Sequence, residues 1–415
     1  MADHAFVWIW LPEQTEPVVA GRVFRDGPRL SFNYGRSYLA RPDAVALYLP
    51  ELPLEAGAIA PLPGLAMPSA LRDAAPDAWG RRVILNRLLG RQARDGDVER
   101  VDELTYLCQS GSDRTGALDF QESATAYVGR ATVGATLDEL LQSAERVEAG
   151  VPLTAELDRA LHHGSSLGGA RPKAFLADGE TKYVAKFPAA GDVQNVVQAE
   201  FVAMRLAAEA GLDVAPVRLV RARGKDVLLV KRFDRVPVAE NWSRRAMVSA
   251  LTILELDEMM ARYASYETLA EIVRHRFADP GATLRELFGR LVFNILCGNT
   301  DDHARNHAAF WDGRSLALTP AYDICPQPRA GGEAGQAMLI LGDRRDSRLS
   351  LCLEGAPAFL LDRARAEAII DHQIAVIAER YDAVCDDAGM SAVDRDLMRG
   401  RQFLNAYALQ GYGEI

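Results

Sequence analysis

The chain has few cysteines, and no two of them stand close together. Cys108, Cys297, Cys325, Cys352 and Cys385 are odd in number and scattered over 415 residues, with no Cys-x-x-Cys pair. That excludes a disulfide framework and a zinc-ribbon site, and suits reduced thiols. A run of about 18 apolar residues is also missing, which argues against a membrane span. Asp3, His4 and Glu13 surround the short apolar run at the start, so it does not read as a signal peptide. The expected location is the cytoplasm. A basic surplus is absent as well. The formal net charge is −10 and the isoelectric point is near 5.3, which argues against binding nucleic acid by the chain's own field. There is no internal repeat and no Walker A sequence. What remains is 49% hydrophobic and 25% charged, ordinary for a globular protein long enough for two or three packed units.

Periodicity divides the chain. Residues 6–10, 18–24 and 29–34 read as strands, the last two a hairpin around Asp26-Gly27. Residues 79–89 have helical spacing with Asp77 as N-cap, and 104–108 continue as helix. Residues 114–120 lead into a polar connection, followed by a helix within 132–147. Residues 174–177 and 182–187 form a hairpin around Asp178-Gly179. A helix over 200–210 stops at Gly211, and 218–222 pairs with 226–233. After Asp234 the pattern is helical, at 245–254, 268–276, 284–297, 366–381 and 395–409, with a short strand at 338–341. This predicts an α+β fold in three parts. An N-terminal α/β subdomain spans 1–125, a β-rich lobe 126–240 and a mostly helical lobe 241–415.

One stretch carries chemistry. In Asn299-Thr300-Asp301-Asp302-His303-Ala304-Arg305-Asn306, Asp301 and Asn306 have the Asp-x-x-x-x-Asn spacing of a protein-kinase catalytic loop. There an Asp accepts the proton of the attacking hydroxyl, and the Asn holds Mg²⁺. Asp323 follows seventeen positions after Asn306, where a kinase keeps its second metal-binding Asp. Asp301 is therefore the candidate base, and Asn306 and Asp323 the candidate Mg²⁺ ligands, since hard oxygen donors suit that ion. His303 is expected near the nucleotide. His303 and His307 at i, i+4 also raise a metal-hydrolase reading, which the missing His-Glu-x-x-His pattern disfavours. Arg305 is either a charge-neutralising group or a surface ion pair.

Phosphoryl transfer also needs the phosphates held. Lys186 lies on a strand, and Glu200 is expected at the start of the next helix, in the order a kinase uses for its lysine–glutamate pair. Alone, Lys186 reads as a solvent-facing strand lysine and Glu200 as a residue favoured by the helix dipole. Upstream, Gly168, Gly169 and Ala170 lie in a glycine-serine loop whose backbone can approach phosphates. Ser165 and Ser166 add hydroxyls open to phosphorylation. Phe233 and Asp234 stand where a hinge would hold adenine and ribose; the plainer alternative is a charged strand end.

These pieces together resemble the HipA-like serine/threonine kinases, toxins of bacterial type II toxin–antitoxin systems. The likeness rests on Pro76-Asp77-Ala78-Trp79-Gly80-Arg81, on Ser166-Leu167-Gly168-Gly169-Ala170-Arg171-Pro172-Lys173, and on Lys186-Phe187-Pro188. Arg232-Phe233-Asp234-Arg235, the 299–306 loop and Pro320-Ala321-Tyr322-Asp323 complete it, in order. The resemblance implies a kinase-like two-lobed fold behind the N-terminal subdomain, with ATP and Mg²⁺ as cofactors. It implies autophosphorylation of Ser166 or Ser165. It also implies a helix-turn-helix antitoxin of the HipB type, operator DNA reached chiefly through that partner, and a protein substrate such as an aminoacyl-tRNA synthetase. Two other readings stay open, a catalytically weak co-repressor and a small-molecule phosphotransferase. Arg305 stands where some members have Lys, and Lys231 where some have Glu.

Overall fold

The computed structural model describes residues 3–89, 97–130, 135–161, 169–329 and 332–412. The chain forms two compact units. The first comprises Met1–Gly191, Val220–Val248 and Phe310–Arg314; the second comprises Asp192–Leu219, Ser249–Ala309 and Ser315–Ile415.

In the first unit, β1 (His4–Ile9), β2 (Val18–Asp26), β3 (Arg29–Tyr34) and β4 (Leu118–Gln121) form an antiparallel sheet ordered β3-β2-β1-β4. Alternation along β1 buries Ala5, Val7 and Ile9. The β2–β3 turn uses Gly27 at φ +60°, which only glycine adopts without strain. Helices α1 (Ala78–Leu89), α2 (Glu103–Gln109), α3 (Leu137–Glu148) and α4 (Ala155–Leu161) follow. Thr136 and Glu139 close a capping box on α3. A second sheet is built from β5 (Lys173–Asp178), β6 (Thr181–Lys186), β7 (Val217–Ala222) and β8 (Lys225–Lys231), ordered β5-β6-β8-β7. Leu140, Leu141, Ala144 and Val147 of α3 share one buried cluster with Trp79 and Val83 of α1 and with Ala174, Ala185, Val227 and Leu229 of this sheet.

The second unit is mostly helical: α5 (Val196–Glu209), α6 (Tyr266–Arg276), α7 (Pro280–Leu296), α8 (Leu349–Gly355), α9 (Arg363–Asp387) and α10 (Ala392–Met398). Helix α7 is its centre, with Leu287, Phe288, Leu291, Val292, Phe293, Ile295 and Leu296 fully buried. All five cysteines are buried, and none is in a disulfide. Among the described residues no helix is long and apolar enough to cross a membrane.

Several expected elements differ. Helix α5 begins four residues before Glu200, because the Asn195 side chain caps it by accepting from the Gln198 amide. Glu200 is thus a buried second-turn residue. Residues 114–120, read only as a lead into a polar connection, contain most of β4. The helical reading from 245 fails: Met247–Ser249 is a strand followed by one helical turn, Ala250–Ile253. Before it lies an unexpected hairpin of β9 (Arg235–Val238) and β10 (Asn241–Arg244). The helix expected over 395–409 is broken after α10, where Gly400 and Leu404 take positive φ, and helix resumes only at Ala406–Leu409. The strand expected at 338–341 is reduced to isolated bridges at Leu339 and Leu341.

Candidate active site

The second unit gathers four of the candidate residues. Helix α7 ends at Cys297, and Gly298 follows at φ +71°, where a Cβ would lie 2.8 Å from the Gln402 carbonyl oxygen. Only glycine fits there, so the chain turns off the buried helix at that point into the 299–306 loop. The loop tightens into a 3-10 turn, Ala304–Asn306, with the Asn306 amide N–H donating to the His303 carbonyl at 2.8 Å. The Asn306 side-chain NH₂ donates to the Asp301 carbonyl at 3.3 Å, leaving its amide oxygen as the remaining donor atom for a cation. Asp301 is exposed, His303 half-buried and Asn306 buried.

Asp323 joins them from a second segment. Ala321 pairs with residues 213–215, donating to the Asp213 carbonyl at 2.7 Å and accepting from Ala215 at 2.9 Å. The Tyr322 hydroxyl donates to the Arg305 carbonyl at 2.7 Å. Asn299 Nδ2 donates to the Asp323 carbonyl at 3.4 Å and to Asn294 Oδ1 at 2.9 Å. Asp323 itself sits at φ +60°, a left-handed conformation that costs a non-glycine residue energy and is held by these contacts. Partial desolvation of the carboxyl first, then the charges of Asp323 and Asp302, raise Asp301 above its ordinary value, while His303 opposes them. Arg305 makes an ion pair with Glu258 at 2.7 Å.

Among the described residues, no three His, Cys, Asp or Glu side chains are placed to hold a metal ion by themselves. Mg²⁺ commonly takes only one or two carboxylates and completes its shell with phosphate and water oxygens. The Asp323 carboxylate and the Asn306 amide oxygen fit that need. The negative charge crowded around Asp301 is of the sign a cation would relieve.

The first unit holds the other described candidates except Glu200. Lys186 is half-buried at the end of β6, paired in register with Lys173 on β5 and with Leu228 on β8. Register partners in antiparallel strands share a face, and like charges placed so are unfavourable without an anion. Lys173 is 8% exposed, and its ammonium lies 2.4 Å from where a Cβ on Gly169 would be. Lys173, which the sequence reading included in the glycine-loop motif without giving it a role, is in register with Lys186. Gly169, at φ +85°, donates its N–H to Asp77 Oδ2 at 2.9 Å and accepts from the Trp79 amide at 3.0 Å. The 76–81 motif thus clamps the end of the glycine loop, and Ala170 beside it is exposed. Gly168, Ser165 and Ser166 lie outside the described residues.

Phe233 is half-buried, edge-on to Phe310 at 5.9 Å. Asp234 is buried, and its carboxylate accepts from Arg232, Arg235 and the Gly116 amide, each at 2.8–2.9 Å. A ribose hydroxyl would have to share that carboxylate with all three. Burial alone would raise the Asp234 carboxyl, but Arg232 and Arg235 outweigh it and lower it to about 2. Asp113 extends the cluster, bound to Lys182 at 2.9 Å, Arg232 at 3.0 Å and Arg235 at 2.8 Å. Glu200 lies in the second unit, on α5.

Comparison with known proteins agrees with these motifs. The family model described as HipA-like C-terminal domain matches residues 165–381, and that of the HipA N-terminal domain matches residues 10–121. The chain therefore belongs to the HipA family. It is 27% identical over 374 residues to the kinase-named protein Y4mE of Sinorhizobium fredii, covering 81% of this chain and 84% of that one. It is 27% identical over 146 residues to the serine/threonine-protein kinase toxin HipA of Shewanella oneidensis, covering 31% of this chain and 34% of that toxin. In fold it is similar to Shewanella HipA solved with HipB and operator DNA, with a TM-score of 0.70 and 18% identity over 99% of this chain and 100% of the other. The α+β, kinase-like two-lobed class expected from the sequence is the class found.

Proposed function

We propose that this chain is an ATP- and Mg²⁺-dependent serine/threonine protein kinase that acts as a growth-inhibiting toxin. The observation that carries the reading is the Asp301, Asn306 and Asp323 constellation, held in one place by Asn299 and Tyr322. In this reading Asp301 accepts the proton of the attacking hydroxyl. Asn306 and Asp323 hold Mg²⁺, which neutralises charge on the transferring phosphate. Lys186, with Lys173, holds ATP phosphates, and the Gly168, Gly169 and Ala170 backbone covers them. Glu200 is the carboxylate of the kinase motif, His303 lies by the nucleotide, and Phe233 with Asp234 borders adenine and ribose. A carboxyl raised above its ordinary value is suited to proton acceptance near neutral pH.

Family membership supports the reading of regulation and partners. Autophosphorylation of Ser166 or Ser165 adds about −1.5 to −2 charge to the glycine-serine segment and silences the enzyme. A HipB-like helix-turn-helix antitoxin binds the chain and carries it to operator DNA. The acceptor is a protein, with an aminoacyl-tRNA synthetase the leading class. Incubation of the purified chain with Mg·ATP, followed by peptide mapping, tests the reading. Phosphate on Ser165 or Ser166 in the native chain that is absent from Asp301→Asn supports it. Phosphate on the Asp301→Asn chain at a near-normal rate refutes Asp301 as base, where a loss of roughly 10²–10³ is expected.

A further inference from the structure

Asp301 is followed by a second carboxylate that the proposed chemistry leaves unused. Asp302 is 1% exposed and accepts from the Tyr266 hydroxyl, while His307 Nε2 lies 2.9 Å from its other oxygen. His307 Nε2 also lies 3.0 Å from the Tyr266 oxygen, closing a buried three-membered set. Tyr266 is itself fully buried in the first turn of α6, whose Ser265 caps the helix. Its phenol stays protonated, because burial and then the Asp302 charge hold it well above its ordinary value, so it remains a donor. Asn294 lies within electrostatic reach of the Tyr266 hydroxyl. Asn294 accepts from Asn299, and Asn299 donates to the Asp323 carbonyl.

We infer that Tyr266 is the positioning residue that sets Asp301 and Asn306 against Asp323. Its hydroxyl bonds directly to one hydrogen-bonded arm and lies beside a second, which starts from Asn299 of the same loop. One arm runs through Asp302 and His307 and grips the 299–307 loop directly after Asp301 and directly after Asn306. The other runs through Asn294 and Asn299 to the backbone of Asp323. Buried polar networks of this kind are rigid when satisfied and costly when broken, and a catalytic set tolerates little displacement. Tyr266 touches neither the candidate base nor a candidate metal ligand, so its effect is on geometry alone. The inference deepens the kinase reading and rests on it.

The test is Tyr266→Phe, which removes one oxygen and keeps the ring. Autophosphorylation turnover is expected to fall at least tenfold with the KM for ATP within twofold of the native value. Hydrogen exchange of peptides covering 299–307 and 320–325 is expected to rise, with the rest of the chain unchanged. Asp302→Ala should show the same pattern. Asp302→Asn, which keeps an acceptor for the tyrosine, should recover part of the loss, as a positioning role requires. Turnover within twofold of native in Tyr266→Phe, or unchanged exchange in both segments, overturns the inference. A native chain that transfers no phosphate sinks the kinase reading instead, and the exchange measurement still decides whether Tyr266 joins the two segments.

Discussion

Removing Asp113 should destabilise the first unit far more than an ordinary surface substitution. Its carboxylate faces three cations, Lys182, Arg232 and Arg235, and the two arginine side chains are only 3% and 1% exposed. Asp113→Ala leaves Asp234 as the one carboxylate shared by both arginines, and leaves Lys182 without this counterion. Stranding buried charge in this way costs about 3–5 kcal/mol. For a unit of this size each kcal/mol moves the melting midpoint by roughly 2–4 °C, so a drop of about 10 °C is expected. Scanning calorimetry reads it directly. Asp43→Ala is the matched control, because the Arg41–Asp43 pair is exposed on both sides and its loss should leave the transition in place. An Asp113→Ala midpoint within 2 °C of native would refute the view that this carboxylate neutralises a buried cationic cluster.

Three further outcomes are expected. Lys186→Ala should weaken Mg·ATP binding at least tenfold by calorimetric titration, and unchanged affinity would remove the lysine from the phosphate site. Asp234 has a folded value of about 2 against an ordinary 3.8, so its contribution is full above pH 4 and is lost as pH falls through about 2. That amounts to roughly 2 kcal/mol, so urea midpoints should fall between pH 4 and pH 2, and an Asp234→Asn chain should show a shallower fall. Thr136→Ala should cost about 1 kcal/mol through loss of the α3 cap, read as a lower urea midpoint with an unchanged slope.

The motifs were legible in sequence because they are local. Asp301 and Asn306 stand at fixed spacing in one loop, and Gly27 and Gly179 marked their hairpins by residue type alone. Tyr266 was not legible. It lies 36 residues before Asp302, and nothing in a helical first turn distinguishes a tyrosine that donates to a buried carboxylate from one that merely packs. Strand β4 was hidden for a related reason. Its central Asp119 is fully buried against Arg114 and Arg130, so residues 114–120 show no clear strand pattern. The start of α5 was misplaced because Asn195, which is also a common loop residue, acts as its cap. In the 245–254 segment, apolar spacing alone did not separate a three-residue strand and one helical turn from a single helix.

The burial of every cysteine has a practical consequence for conjugation chemistry. Burial raises the thiols of Cys108, Cys352 and Cys385, and pushes Cys297 up to about 12. Thiol-selective reagents act on exposed thiolates, so the native chain offers them no ready handle. One cysteine introduced on the surface near Ala170, and another on the surface of the second unit, would each take a maleimide dye selectively at neutral pH. The native cysteines would not first have to be removed, and the two units could be followed spectroscopically in an otherwise unaltered protein.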